Sequence, residues 1–255
     1  MVAAMNGTSG IFGQFLLATA VLTRLPVAAP PAADGAVAAA SWAFPLVGAG
    51  IGMVAALALF VASLFGLGQV ASVLLALVAA GLLTGALHED GFADTADGFG
   101  GGRDRDEKLA IMRDSQQGTY GILALILSIG LRAAALASIA GPIEGGLALI
   151  AAHAVSRSFL PPVMRWLKPA RDDGLGAAAG TSGPAVAWVA LAIGAFVALG
   201  MLGPLRGAIA LVVSGVAAAA TAALARRQIG GYTGDVLGAI QQIGEIVMLL
   251  AASAR

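Results

Sequence analysis

Residues 46–65 read LVGAGIGMVAALALFVASLF and residues 70–88 read VASVLLALVAAGLLTGALH, two runs that hold no Asp, Glu, Lys or Arg. A helix rises about 1.5 Å per residue, so about 20 apolar residues cross the roughly 30 Å hydrocarbon core of a bilayer. Five more such runs follow, at about 120–140, 145–164, 185–203, 206–225 and 236–253. Ile11 to Leu22 is apolar but too short to cross without tilt, and Arg24-Leu25-Pro26 ends it, so it reads as an interfacial or half-buried helix. The expected fold is therefore all-α: a polytopic helical membrane bundle of about seven spans plus a short N-terminal helix, with residues 1–255 in a single membrane-embedded domain.

Composition agrees. Of the 255 residues 59% are hydrophobic and 11% charged, against about 25% charged in an ordinary soluble domain, which excludes a soluble enzyme of the usual kind. A net charge of zero gives no reason to expect nucleic acid as a partner. The absence of cysteine excludes disulfides, thiolate metal sites and cysteine nucleophiles. The first ten residues, MVAAMNGTSG, lack the basic stretch of a signal peptide, so no cleavage is expected. With seven spans, Arg24, Arg103, Arg105, Lys108, Arg113, Arg165, Lys168, Arg171, Arg226 and Arg227 fall on one side, and only Arg206 and Arg255 on the other. The first side is assigned to the cytoplasm. Gly48, Gly50 and Gly52 read as a surface for close helix approach, and Gly98-Phe99-Gly100-Gly101-Gly102, which lacks the ending of a phosphate-binding P-loop, reads as a flexible close-approach loop.

Charge is concentrated in residues 88–115, HEDGFADTADGFGGGRDRDEKLAIMRDS, which hold eight of the fourteen acids. Continued as helix, this stretch places Asp90, Asp94 and Asp97 at i, i+4 and i+7, on one face. Carboxylates so placed repel one another unless a cation sits among them, and a hard divalent ion such as Mg²⁺ takes oxygen ligands shared between carboxylates and phosphates. Glu89, about 100° round the helix, is a further candidate ligand. Asp104, Asp106 and Glu107 among Arg103, Arg105 and Lys108 read as a solvated loop. A second polar group lies at Thr233, Gly234 and Asp235, followed on one helical face by Gln242 and Glu245, and both groups open to the same side. Arg132, His153 and Arg157 lie within spans, where ionisable groups face a partner inside the bundle or serve a ligand.

The stretch Thr84 to Leu125, TGALHEDGFADTADGFGGGRDRDEKLAIMRDSQQGTYGILAL, resembles the signature region of the cobalamin synthase family, the adenosylcobinamide-GDP ribazoletransferases. Phe15 to Pro26 (FLLATAVLTRLP), Trp42 to Gly48 (WAFPLVG) and Gly230 to Glu245 (GGYTGDVLGAIQQIGE) agree in order, with the departure that Gln242 stands where an acid is expected in many members. The resemblance implies a multi-pass enzyme of the bacterial cytoplasmic (inner) membrane, its site facing the cytoplasm, that joins α-ribazole or its 5′-phosphate to adenosylcobinamide-GDP. The products are adenosylcobalamin or its phosphate, and GMP, and the ion required is Mg²⁺. On that basis Asp90, Asp94, Asp97 and Glu89 are the candidate metal ligands, and Asp94 and Asp97 the candidate bases. Arg103, Arg113, Asp114, Ser115, Thr233, Gly234, Asp235 and Glu245 are the candidate substrate-binding residues. Two other readings compete. Asp94-Thr95-Ala96-Asp97-Gly98 echoes the start of a CDP-alcohol phosphotransferase motif whose continuation is missing here, and a transporter would use Arg132 and Glu245 as a pathway.

Overall fold

The computed structural model describes residues 10–30 and 35–254; the reading of the first nine residues and the place of Arg255 lie outside them. Thirteen α-helices are described, and no strand among the described residues. They are α1 Ile11–Leu22, α2 Ala36–Ala40, α3 Phe44–Leu64, α4 Gln69–Thr84, α5 Leu87–Gly101, α6 Arg105–Ile111 and α7 Thr119–Ser138, followed by α8 Pro142–Ser158, α9 Leu160–Trp166, α10 Leu175–Ala179, α11 Pro184–Leu202, α12 Pro204–Ile229 and α13 Gly234–Ser253. Six helical stretches have the length and apolarity of a span: α2 running into α3, then α7, α8 with α9, α11, α12 and α13. A seventh stretch passes only as the pair of α4, whose 16 residues reach about 24 Å, and α5 taken together. The chain is a multi-pass membrane protein.

Local chemistry sets the helix ends. Prolines begin α8, α11 and α12, each just after a glycine, where the missing N–H removes no helical bond. The chain leaves α4 through Gly85 (φ +65°) and Ala86 (φ +55°) and turns by 91° into α5. The 70–88 run is thus not one straight span, as expected, but a 16-residue helix with a second helix turned across its end. Successive left-handed residues cannot continue a right-handed helix. The glycine run 98–102 is likewise mostly the last turn of α5 rather than a flexible loop. A Cβ at Gly100 would lie 2.6 Å from the Tyr120 ring and one at Gly98 2.5 Å from Met112 Cγ, so side chains are excluded by packing.

The interior is built from small residues and the exterior from large ones. Leu57, Leu82, Phe196 and Val212 point outward, while Ala55, Ala76, Ala135, Ala190 and Ala210 are buried, as suits helices that meet by close packing within lipid. At the centre stands α8, against α3, α11 and α13, with every residue from Ala151 to Ser158 buried. Gly48 and Gly52 of α3 face it, a Cβ at Gly52 falling 2.6 Å from Ile150 Cα; Gly50, 200° round from either, meets nothing within 4 Å.

Candidate active site

Helix α5 lies against α13 through two glycines. A Cβ on Gly91 would stand 2.8 Å from Asp235 Cα, and one on Gly238 3.0 Å from the His88 carbonyl oxygen, so hydrogens at both positions let the backbones touch. This contact brings Asp90 and Asp94 of α5 beside Asp235, in the first turn of α13. Thr233 caps α13 by accepting from the Val236 N–H at 3.2 Å, and its hydroxyl donates to Asp235 Oδ2 at 3.1 Å. Thr233 itself is buried, and Gly176 of α10 packs on the Gly234 backbone. Thr233 therefore orients the Asp235 carboxylate, and Gly234 carries it into the first turn of α13.

Burial pushes the Asp94 carboxyl up to about 6. The Gln117 amide, donating to Oδ1 at 3.2 Å, opposes the rise, and the nearby Asp90, Asp235 and Asp97 carboxylates add to it. Asp97 has a different duty. Its Oδ2 accepts from the Gly118 N–H at 2.7 Å and its Oδ1 from the Gly121 N–H at 2.9 Å, so it caps α7 from a neighbouring helix. The glycines leave room for it, since a Cβ on either would overlap its oxygens.

The carboxylate trio expected on α5 is thereby redrawn. Asp90 and Asp94 remain together, Asp97 is drawn to α7, and Asp235 takes the third place. Glu89 is not with them. It points inward, where its Oε1 accepts from Arg132 Nη1 at 3.2 Å. Glu245, a candidate either for substrate binding or for an ion pair inside the bundle, is 1% exposed and accepts from Arg132 Nη1 at 3.0 Å and from Gln241 Nε2 at 2.6 Å; His153 Nδ1 lies 3.0 Å away. Arg157 completes the group, its Nη1 donating to the His153 carbonyl oxygen at 3.1 Å. This network answers what Arg132, His153 and Arg157 do within their spans: two guanidiniums and two carboxylates balance one another inside the bundle. No three His, Asp or Glu side chains converge into a metal cage among the described residues. Asp90, Asp94 and Asp235 present oxygen donors on one face without forming such a cage.

The remaining candidates lie between α5 and α7. Arg113 Nη2 pairs with Asp173 Oδ1 at 2.5 Å, Asp114 Oδ1 accepts from the Gln116 N–H at 3.0 Å, and Ser115 and Arg103 are exposed. Residues 103–108 are more than a solvated loop. Asp104 caps α6 by accepting from the Glu107 N–H at 2.9 Å, and Arg105 donates to the Ile229 carbonyl at 3.1 Å and to that of Ala170. Ala170 N–H donates to the Tyr232 carbonyl at 2.8 Å, so α6, the end of α12 and residues 168–173 form one surface. From that surface Arg171 reaches Asp235, Nη2 to Oδ2, at 3.5 Å. Sequence reasoning counted Arg171 only among the cytoplasmic bases, since a contact between residues 171 and 235 has no local signal. Gln117, equally missed, sits two residues past the acidic stretch 88–115 with nothing to mark it.

Residues 14–253 match the cobalamin-5-phosphate synthase family. The chain belongs to this family. Among its relatives, the adenosylcobinamide-GDP ribazoletransferase of Bradyrhizobium diazoefficiens is 48% identical over 100% of this chain and 98% of its own. That of Mesorhizobium japonicum is 44% identical over 95% of this chain and 93% of its own, and that of Azorhizobium caulinodans 43% identical over 89% and 90%. No solved structure matches the chain. As a member of the family the protein is an enzyme, and its acidic face combines residues from two of the stretches that carried the resemblance, 84–125 and 230–245.

Proposed function

We propose that this protein is an adenosylcobinamide-GDP ribazoletransferase of the bacterial inner membrane, with the face of Asp90, Asp94 and Asp235 turned to the cytoplasm. What carries the reading is identity of 48% along the entire chain to a relative of that name. The reaction transfers the cobinamide phosphoryl group from GMP to the ribose hydroxyl of α-ribazole or its 5′-phosphate. The hydroxyl oxygen forms a bond to the phosphorus on the cobinamide side, the bond from that phosphorus to the oxygen bridging to GMP breaks, and GMP leaves with the electron pair.

Asp94 accepts the hydroxyl proton. A carboxyl with a pKa of about 6 is ionised at neutral pH yet basic enough to take a proton as the bond forms. Asp97 is the weaker candidate because both of its oxygens are engaged by α7. Gln117 holds one Asp94 oxygen and leaves the other for the substrate. Asp90 and Asp235 would hold the magnesium ion, which when bound offsets charge on the diphosphate oxygens. The exposed Arg103, Arg113 and Ser115 supply polar groups for the nucleotide.

The test is purified protein with adenosylcobinamide-GDP, α-ribazole and Mg²⁺, followed for GMP and corrinoid product. Wild-type protein releases both in equal amounts, chelation of the metal stops it, and Asp94→Asn lowers turnover by at least about 100-fold. GMP release that is indifferent to chelator and to Asp94→Asn would remove the metal and the base from the mechanism. No corrinoid product at all would remove the activity.

A further inference from the structure

Arg171 stands in an unusual position for an arginine that merely balances charge. Its side chain is 17% exposed, and its Nη2 lies 3.5 Å from Asp235 Oδ2 and its Nε 3.8 Å from Asp173 Oδ1, both long for hydrogen bonds. Its Nη1 is buried and has no hydrogen-bond partner among the described residues. A guanidinium carries five N–H donors in a planar fork, and a buried donor without an acceptor is costly. The surroundings keep the fork from settling on a protein carboxylate. Asp173 Oδ1 is held by Arg113 at 2.5 Å, and Asp235 Oδ2 accepts from Thr233. Gly174, at φ +84°, gives the arginine its room: a Cβ there would stand 3.3 Å from Nη2 and 3.4 Å from Nε.

Charge points the same way. Asp90, Asp94 and Asp235 alone would repel the diphosphate that the reaction requires, and Arg171 is a fixed cation on the same face. Resting on the transferase reading, the geometry points to Arg171 as the residue that grips the diphosphate of the nucleotide substrate. Its fork matches two oxygens of a phosphate, whereas an ammonium at the same place offers only a point charge. Asp235 keeps the guanidinium in place until phosphate oxygens take over its donors. Asp173 holds it between Arg113 and the acidic face, so the segment 168–174 delivers one cation to the reaction and leaves the other at the rim.

The alternative is a structural role, in which Arg171 neutralises Asp235 and nothing more. Lysine preserves that charge without the fork, so Arg171→Lys separates the two roles, and Arg171→Met provides a second variant. Full-length wild type and both variants are purified in detergent, their thermal unfolding is recorded, and GMP and guanosine binding are measured by equilibrium dialysis. Michaelis constants are taken separately for adenosylcobinamide-GDP and α-ribazole. The expected result is that Arg171→Lys unfolds like wild type but binds GMP about tenfold or more weakly, with guanosine binding unchanged. Its KM rises for adenosylcobinamide-GDP and not for α-ribazole. If Arg171→Lys binds GMP as wild type does, or weakens both substrates equally as its stability falls, the assignment is overturned while the transferase reading stands. If wild type binds GMP through Arg171 but forms no corrinoid product, the transferase reading fails and the phosphate site stands.

Discussion

Replacing Asp97 by alanine separates structural duty from chemistry among the acids of α5. The Asp97 side chain is 6% exposed, and its two oxygens accept from the Gly118 and Gly121 N–H groups at 2.7 and 2.9 Å. A hydrogen bond to a charged group contributes about 1.5–3 kcal/mol, and the lower figure taken for each is a minimum, since Gly118 is half-buried at the helix entrance and Gly121 is buried. The two together give about 3 kcal/mol, or roughly a 150-fold shift in the equilibrium for opening the first turn of α7. Amide hydrogen exchange on protein in detergent reads this directly. In Asp97→Ala the amides of residues 118–122 exchange about 100-fold faster, while those in the middle of α7 keep their protection. Thermal unfolding falls by about 6–12 °C on the scaling for chains of this size. Asp94→Asn, whose carboxylate caps no helix, loses turnover with neither change. Unaltered protection at Gly118 and Gly121, with a midpoint within about 1 °C of wild type, would refute the capping account and return Asp97 to the candidates for the chemistry.

Gly91→Ala places a methyl group 2.8 Å from Asp235 Cα, so α5 and α13 must part; turnover drops by at least about tenfold through misalignment of Asp94 and Asp235, and an unchanged rate would show that the acidic face tolerates separation. Glu245→Gln strips the carboxylate between Arg132 and His153 and costs about 3–5 kcal/mol, read as a lowered thermal midpoint that Arg132→Met in the same chain partly restores; equal losses in the single and double variants would deny the coupling. The Asp94 pKa is raised in the folded protein to about 6. Its contribution to stability is therefore fully present below the ordinary carboxylate value and lost as pH rises through about 6, while turnover moves oppositely and rises through that pH. A pH–rate profile at two magnesium concentrations checks this: more cation carries the acid limb to lower pH, and a limb absent between pH 5 and 7 counts against Asp94 as base. The cysteine-free chain allows topology mapping. In intact cells a membrane-impermeant maleimide labels Arg206→Cys and spares Ser115→Cys, and the reverse pattern would invert the orientation.

The membrane bundle was legible in the residues alone because a span is a local property: 20 apolar residues satisfy their own backbone hydrogen bonds and need no partner to be recognised. The helical spacing of Asp90 and Asp94 was legible for the same reason. Whether a third carboxylate joins them is not a local matter. Asp97 has the right spacing and is claimed by two amide groups of α7, whereas Asp235, over a hundred residues away, is admitted because Gly91 and Gly238 let two helices touch. Sequence left Glu245 open between a site residue and an ion-pair partner of the buried bases and Glu89 open as an outer or direct ligand, and packing pairs both with Arg132, since Arg132 and Arg157 cannot lie in the low dielectric of the bundle without opposite charges beside them. Helices and their apolar faces follow from bonds between near neighbours; the partner that each charged side chain finds follows only from how those helices pack.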